Sequence, residues 1–209
     1  MAETARAGGQ RGRLIAFEGG EGAGKSTQAR LAADALGAVL TREPGGTALG
    51  ERIRNLVLDP ASVALDDRAE ALLMAAARAQ HVAEVIEPAL RGGTDVVTDR
   101  FTPSSVAYQG HGRGLPPEEV RQLSLWATVG LEPDVVVLLE VAAPVAAARL
   151  RGERDRMEAA GKEFHRAVAD GFRAMAAADP GRWVVIDGEG PVDEVARRVR
   201  AALADRLER

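Results

Sequence analysis

The chain has 209 residues, 46% of them hydrophobic and 28% charged, a balance that fits one folded domain and excludes a disordered polyelectrolyte. A net charge of −4 gives no general reason to expect nucleic-acid binding, and the lack of cysteine excludes disulfides and thiolate metal sites. No apolar run approaches the roughly 20 residues that a membrane span needs.

Residues 1–12 are small, polar and basic without an apolar stretch, so they read as a disordered tail and not a signal peptide. Residues 13–209 read as a single domain of a soluble, cytoplasmic protein. A first apolar run, Leu14 to Phe17, ends in Glu18 and a glycine cluster, and a helical pattern follows from Lys25 to Leu36. Ala38 to Leu40 is the next strand, followed by the turn Glu43-Pro44-Gly45-Gly46 and a helix from Leu49 to Leu58. From Ala69 to Leu90, apolar residues recur at Leu72, Leu73, Ala76, Val82, Val85, Ile86 and Leu90, which predicts one long amphipathic helix. Strands at Asp95–Thr98, Val135–Leu139 and Trp183–Ile186 alternate with helices at Pro117–Val129, Pro144–Leu150, Lys162–Ala177 and Val192–Leu207. The strands are rich in Val and Ile and mostly lack alternation, as strands buried on both faces do. Such an order predicts an α/β fold, a five-stranded parallel sheet flanked by helices, with ligands beyond the carboxyl ends of the strands.

The segment Gly19-Gly20-Glu21-Gly22-Ala23-Gly24-Lys25-Ser26, continued by Thr27, fits G-x-x-x-x-G-K-[ST] between a strand and a helix. Glycines let backbone N–H groups curl around phosphate oxygens, and the helix start adds partial positive charge. Lys25 would reach the β- and γ-phosphates of ATP, and the Ser26 hydroxyl could hold Mg²⁺. The chain lacks the N-K-x-D segment of GTPases and the Asp-Glu strand end of motor ATPases. Its third strand instead ends in Asp99-Arg100. Asp99 could bind Mg²⁺ through water, and Arg100 suggests a second anion.

Three arginine-bearing segments lie where an acceptor should bind. They are Thr41-Arg42-Glu43-Pro44-Gly45-Gly46-Thr47 running on to Arg52 and Arg54, then Arg78, then Asp99-Arg100-Phe101-Thr102-Pro103-Ser104-Ser105-Val106-Ala107-Tyr108-Gln109. Here the sequence resembles the thymidylate kinases, from about Arg13 to the last helix. The resemblance implies a P-loop kinase fold with a short lid, transfer of the γ-phosphoryl of ATP to dTMP, Mg²⁺, and a homodimer formed through the long helices. It further implies that Arg54 and Arg100 bind the dTMP phosphate with Arg42 close by. Arg78 would donate to a thymine carbonyl, Ser105 and Gln109 would make further base contacts, and Tyr108 would crowd the sugar 2′ position. Glu21 would meet the 3′-hydroxyl. Met74 stands where the family usually has a phenylalanine stacked on thymine, so weaker stacking is expected.

Residues 149–156 read Arg-Leu-Arg-Gly-Glu-Arg-Asp-Arg. Gly22 occupies the position where one class of the family has a P-loop arginine, and Asp155-Arg156-Met157-Glu158 resembles the other class, whose lid arginines carry that charge. The lid is expected over about 149–160. Arg151 and Arg156, then Arg149, are the expected catalytic arginines, ahead of Arg154. A different P-loop nucleotide or deoxynucleoside kinase remains open, as does an ATP-binding regulatory module. An inactive relative fits poorly with an intact Lys25 and Ser26. His81, His111 and His165 lack metal-ligand spacing and read as surface or packing residues, while Trp126 and Trp183 read as core.

Overall fold

The computed structural model describes residues 11–61, 65–150 and 155–207. The five apolar runs form strands β1 Leu14–Glu18, β2 Val39–Arg42, β3 Val96–Asp99, β4 Val135–Glu140 and β5 Trp183–Asp187. All pairings are parallel, in the order β2-β3-β1-β4-β5. Every residue of the central β1 is buried, which is why its sequence shows no alternation. The register sets Phe17 beside Asp99, so the carboxyl ends of β1 and β3 open side by side. The glycine cluster and the Asp99-Arg100 pair therefore emerge as neighbours although about 80 residues separate them in the chain.

The helices are α1 Lys25–Leu36, α2 Ala48–Leu58, α3 Asp67–His81, α4 Glu87–Arg91, α5 Thr102–Ser105, α6 Pro117–Ala127, α7 Ala143–Arg149, α8 Lys162–Ala178 and α9 Val192–Leu207. The helix expected over Ala69–Leu90 is α3 and α4 joined by a π-helical turn, Val82–Ile86. Asp66 starts α3 by accepting the N–H groups of Arg68 and Ala69. One element has no counterpart in the hydrophobic periodicity: α5 runs into a second π-helical turn, Val106–Gly112, which carries Tyr108 and Gln109.

One sheet face buries Ile15, Phe17, Val137 and Leu139 against Ala29 and Ala33 of α1 and Val195, Val199 and Leu203 of α9. The other packs Val136 and Leu138 under Tyr108, Met157, Val168 and Phe172. Burying a side chain such as Phe172 is worth about 2–3 kcal/mol, so this second core also fixes the turn that carries Tyr108. The backbone is tied down from Gly12, whose N–H donates to the Leu90 carbonyl at 2.8 Å. Most of the expected tail lies outside the described residues. Trp183 is buried as expected, whereas Trp126 is 81% exposed: it sits on the outer side of α6, whose inner side presents Val120, Ser124 and Ala127. Among the described residues no helix is long and apolar enough to cross a membrane.

Candidate active site

The loop after β1 is shaped by backbone that only glycine supplies at low cost. Gly19 has φ 140°, and a Cβ there would lie 2.4 Å from the Leu139 carbonyl oxygen. Gly22 has φ 73°, and a Cβ would lie 2.5 Å from that of Ala146. Gly24 precedes α1 and caps it with no side chain, and the first turn of α1 holds no acidic residue. That helix therefore starts with N–H groups open to an anion. Ala23 and Lys25 are buried, and Thr27 is half-buried in the same turn. Lys25 Nζ donates to the Gly20 carbonyl at 2.8 Å, and burial followed by repulsion from Arg100 holds its pKa below the usual lysine range. The Ser26 hydroxyl donates to Asp99 Oδ2. Asp99 Oδ1 is buried without a partner, which suits a carboxylate that waits for a hydrated cation.

Arg100 leaves β3 at φ 74°, a left-handed conformation that costs a non-glycine residue about 1–2 kcal/mol. Its surroundings impose it. Arg100 N–H donates to Phe17 O at 2.9 Å, and its own carbonyl accepts from Thr98 Oγ1 at 2.8 Å. Just beyond, the fully buried Glu18 accepts from the Phe101 N–H at 2.9 Å and from Ser104 Oγ at 2.6 Å. Burial pushes the Glu18 carboxyl up to about 7 despite the opposing charge of Arg100.

The Arg100 guanidinium donates to Glu21 at 2.5 Å, to Tyr108 Oη at 2.9 Å and to Ser104 Oγ at 3.1 Å, and it stacks 4.8 Å from the Tyr108 ring centre. Tyr108 Oη donates in turn to Glu21 at 2.6 Å. Burial would raise the Glu21 carboxyl, but Arg100 and then Lys25 outweigh it and hold it at about 2. Tyr108 shifts the other way, kept neutral chiefly by burial.

Two cavities open here. One, about 460 Å³ and open to solvent, is lined by Lys25, Ser26, Arg42 and Asp99. The other, about 470 Å³, is lined by Met74, Ser104, Tyr108, Gln109, Asp155 and Met157. They share Glu21, Glu43, Arg54 and Arg100, so they are two ends of one cleft. Arg42 is exposed and pairs with Glu51 at 3.0 Å. Arg54 donates to the Pro44 carbonyl at 3.0 Å, its pKa lowered by burial and then by Arg42.

The base-reading candidates sit deeper. Arg78 is 1% exposed and donates to Glu43 at 2.7 Å, to Ser124 Oγ at 3.1 Å and to the Phe101 carbonyl at 3.1 Å. Ser105 is buried with its hydroxyl unpartnered, as is Gln109 Oε1. Gln109 Nε2 donates to Glu70 at 2.8 Å.

The lid arginines diverge. Arg149 reaches the cradle, donating to the carbonyls of Gly22 at 3.4 Å and Gly188 at 3.0 Å. Arg151 and Arg154 lie outside the described residues. Arg156, expected at the transferring phosphoryl group, donates instead to the Val57 carbonyl at 2.8 Å and to Glu70. Its neighbours Asp155 and Met157 line the acceptor end of the cleft.

Of the two readings of His81, surface or packing, the structure has the second: it is fully buried between Thr41 Oγ1 at 2.5 Å and Glu43 at 2.9 Å, with both ring nitrogens engaged. Other residues have no role assigned from the sequence. Glu18, Glu43, Glu70 and Arg113 are also part of the site's support. A signal did exist for one of them: Glu70, Met74 and Arg78 are spaced four apart, hence on one face of α3.

Comparison with known proteins agrees with this geometry. The family model described as thymidylate kinase matches residues 17–199. A thymidylate kinase of Cutibacterium acnes is 49% identical over 95% of this chain and 99% of that protein. One from Lactobacillus helveticus is 44% identical over 94% and 98%. A crystal structure of thymidylate kinase from Ehrlichia chaffeensis superposes with a TM-score of 0.78 at 32% identity, covering 92% of this chain and 99% of that one. The P-loop kinase fold is thus common to both, and with nearly the whole length matched the chain belongs to the thymidylate kinase family.

Proposed function

We propose that the chain carries out its family's reaction, transfer of the γ-phosphoryl of ATP to dTMP giving dTDP, within the single cleft between the glycine loop and the Arg100 segment. The observation that carries this reading is that Lys25 and Arg100 line one cavity. ATP would lie on residues Gly19 to Thr27, with its phosphates over the uncapped start of α1. The dTMP phosphate would meet Arg100 and Arg54, with Arg42 at the rim. Its 3′-hydroxyl would donate to Glu21, a carboxylate that stays ionised because Arg100 and Lys25 face it. The base would enter between Met74 and the Ser105, Tyr108 and Gln109 segment. Arg78 keeps N–H groups beyond its three observed bonds and would present them to a thymine carbonyl.

The acceptor oxygen is already anionic, so no general base is needed. The barrier lies in bringing two polyanions together. Lys25 and Arg100, which line one cavity, would neutralise charge on the transferring group, and Arg149, which reaches the cradle, is the described lid arginine that would add to them. Arg151 belongs to the same reading. Arg156 enters it as part of the acceptor-side support. Ser26, and Asp99 through water, fit Mg²⁺, which when bound with ATP would offset charge on the phosphate oxygens.

A homodimer and a cytoplasmic location complete the proposal. Support for the dimer is the exposed apolar surface of the α3 and α6 region, with Leu72 58%, Trp126 81% and Val129 93% exposed. Sedimentation over a range of concentrations tests it, a monomer at all of them refuting it. The reaction itself is tested by ADP release with dTMP, dUMP, dAMP or thymidine as acceptor. dTMP should be turned over fastest and dUMP more slowly, since one methyl group yields only about 1–3 kcal/mol of discrimination. ATP binding without dTMP-dependent ADP release would refute the proposal.

A further inference from the structure

Gln109 lines the acceptor end of the cleft with an amide whose two faces are chemically opposite, a donor at Nε2 and an acceptor at Oε1. Which face a ligand meets is decided by what the other face touches. Here Nε2 is 2.8 Å from Glu70, and Oε1 is buried without a partner. Glu70 is itself fully buried and is held by Arg113 Nη2 at 3.2 Å and by Arg156 Nη2. Two guanidiniums on one carboxylate keep it ionised, and an ionised carboxylate only accepts hydrogen bonds. The NH₂ group of Gln109 must therefore face Glu70, which turns the buried, unpartnered carbonyl away from Glu70.

We infer that Glu70 is a positioning residue for base choice: by fixing the sense of the Gln109 amide, it makes the pocket offer an acceptor to position 3 of the pyrimidine. Thymine and uracil carry N3–H there, a donor. Cytosine carries a bare ring nitrogen, so two acceptors would face each other. The pocket thus refuses dCMP through a residue that does not itself touch the base. The inference rests on the proposed thymine site and adds to it the origin of its polarity.

Glu70→Gln removes the constraint, because the new side chain can present either face and Gln109 can turn. The ratio of dTMP to dCMP affinity, read by calorimetric titration, should fall about tenfold or more while the KM for ATP stays unchanged. An unchanged ratio in a folded variant overturns the inference. Gln109→Leu separates this from the underlying reading. If that variant binds dTMP as well as the parent does, the base-contact assignment itself fails. If it weakens dTMP while Glu70→Gln leaves the ratio intact, only the positioning role fails. Should Glu70→Gln not fold, ¹⁵N spectra of the unaltered protein decide. The Gln109 side-chain NH₂ should keep one downfield, hydrogen-bonded proton before and after dTMP is added, and loss of that proton on binding refutes the inference.

Discussion

The two ends of the cleft are built on different plans. The phosphate end is made of backbone and charge: a glycine loop contiguous from Gly19 to Gly24, an uncapped helix start, and ion pairs such as Arg100–Glu21 that solvent can reach. The base end is made of buried polar side chains tied to one another, Arg78 to Glu43 and Ser124, Gln109 to Glu70, and His81 to Glu43 and Thr41. A phosphate is a strong, round charge, so a cradle that tolerates small displacement can hold it. A base edge differs from its rivals by single hydrogen bonds, and only a locked network discriminates at that level.

The contrast predicts where substitutions act. Arg100→Ala should have the largest effect, lowering kcat/KM for dTMP by about 10²–10³-fold, and Arg100→Lys should recover little because the fork onto Glu21, Tyr108 and Ser104 is lost. Steady-state ADP release checks this. Recovery to near parent activity by lysine would mean that charge alone suffices at this end.

Glu18 comes next and sharpens the comparison, since it is a buried carboxylate placed at the phosphate end. Its folded pKa of about 7 exceeds the ordinary 4.5, so between these values the folded chain keeps a proton that the unfolded chain has released. Its stabilising contribution is present below pH 4.5 and is lost as pH rises through about 7, on the order of 3 kcal/mol in all. Glu18→Gln cannot ionise, so denaturant titrations between pH 4.5 and 7.5 should show a flatter dependence than the parent. Equal slopes would show that Glu18 is already ionised near pH 4.5.

The smallest effect belongs to Met74→Phe. A ring in place of the thioether should stack on the base and lower the dTMP KM by about two- to tenfold, with kcat nearly unchanged. A raised KM would mean that the pocket is too tight for the ring and that Met74 sets its width.

The same division governs what the sequence disclosed. The strands are readable as unbroken apolar runs and most helices because their periodicity follows burial, and the glycine loop because every residue of it is consecutive. The Arg100 and Tyr108 segment was readable only as a motif; the left-handed turn at Arg100 and the π-helical geometry beyond it have no hydrophobic signature. Glu18, Glu70 and His81 looked ordinary because their partners are long-range, Glu70 meeting Gln109 and Arg156 across 39 and 86 positions. Trp126 read as core by residue type alone, and the face of α6 on which it lies places it outside.

The π-helical turn at Val106–Gly112 sets adjacent residues to separate tasks: Tyr108 bonds Glu21 and Arg100 at one end of the cleft while Gln109 bonds Glu70 at the other. With the helix widened there, the count of residues between Ser105 and Gly112 acts as a phase setting. Removing Val106 or Ala107 would rotate everything after it by roughly a quarter of a turn, dislodging both contacts without altering any of the groups that make them. Apart from Ser105, Tyr108 and Gln109 themselves, this stretch can therefore vary in letters far more readily than in length.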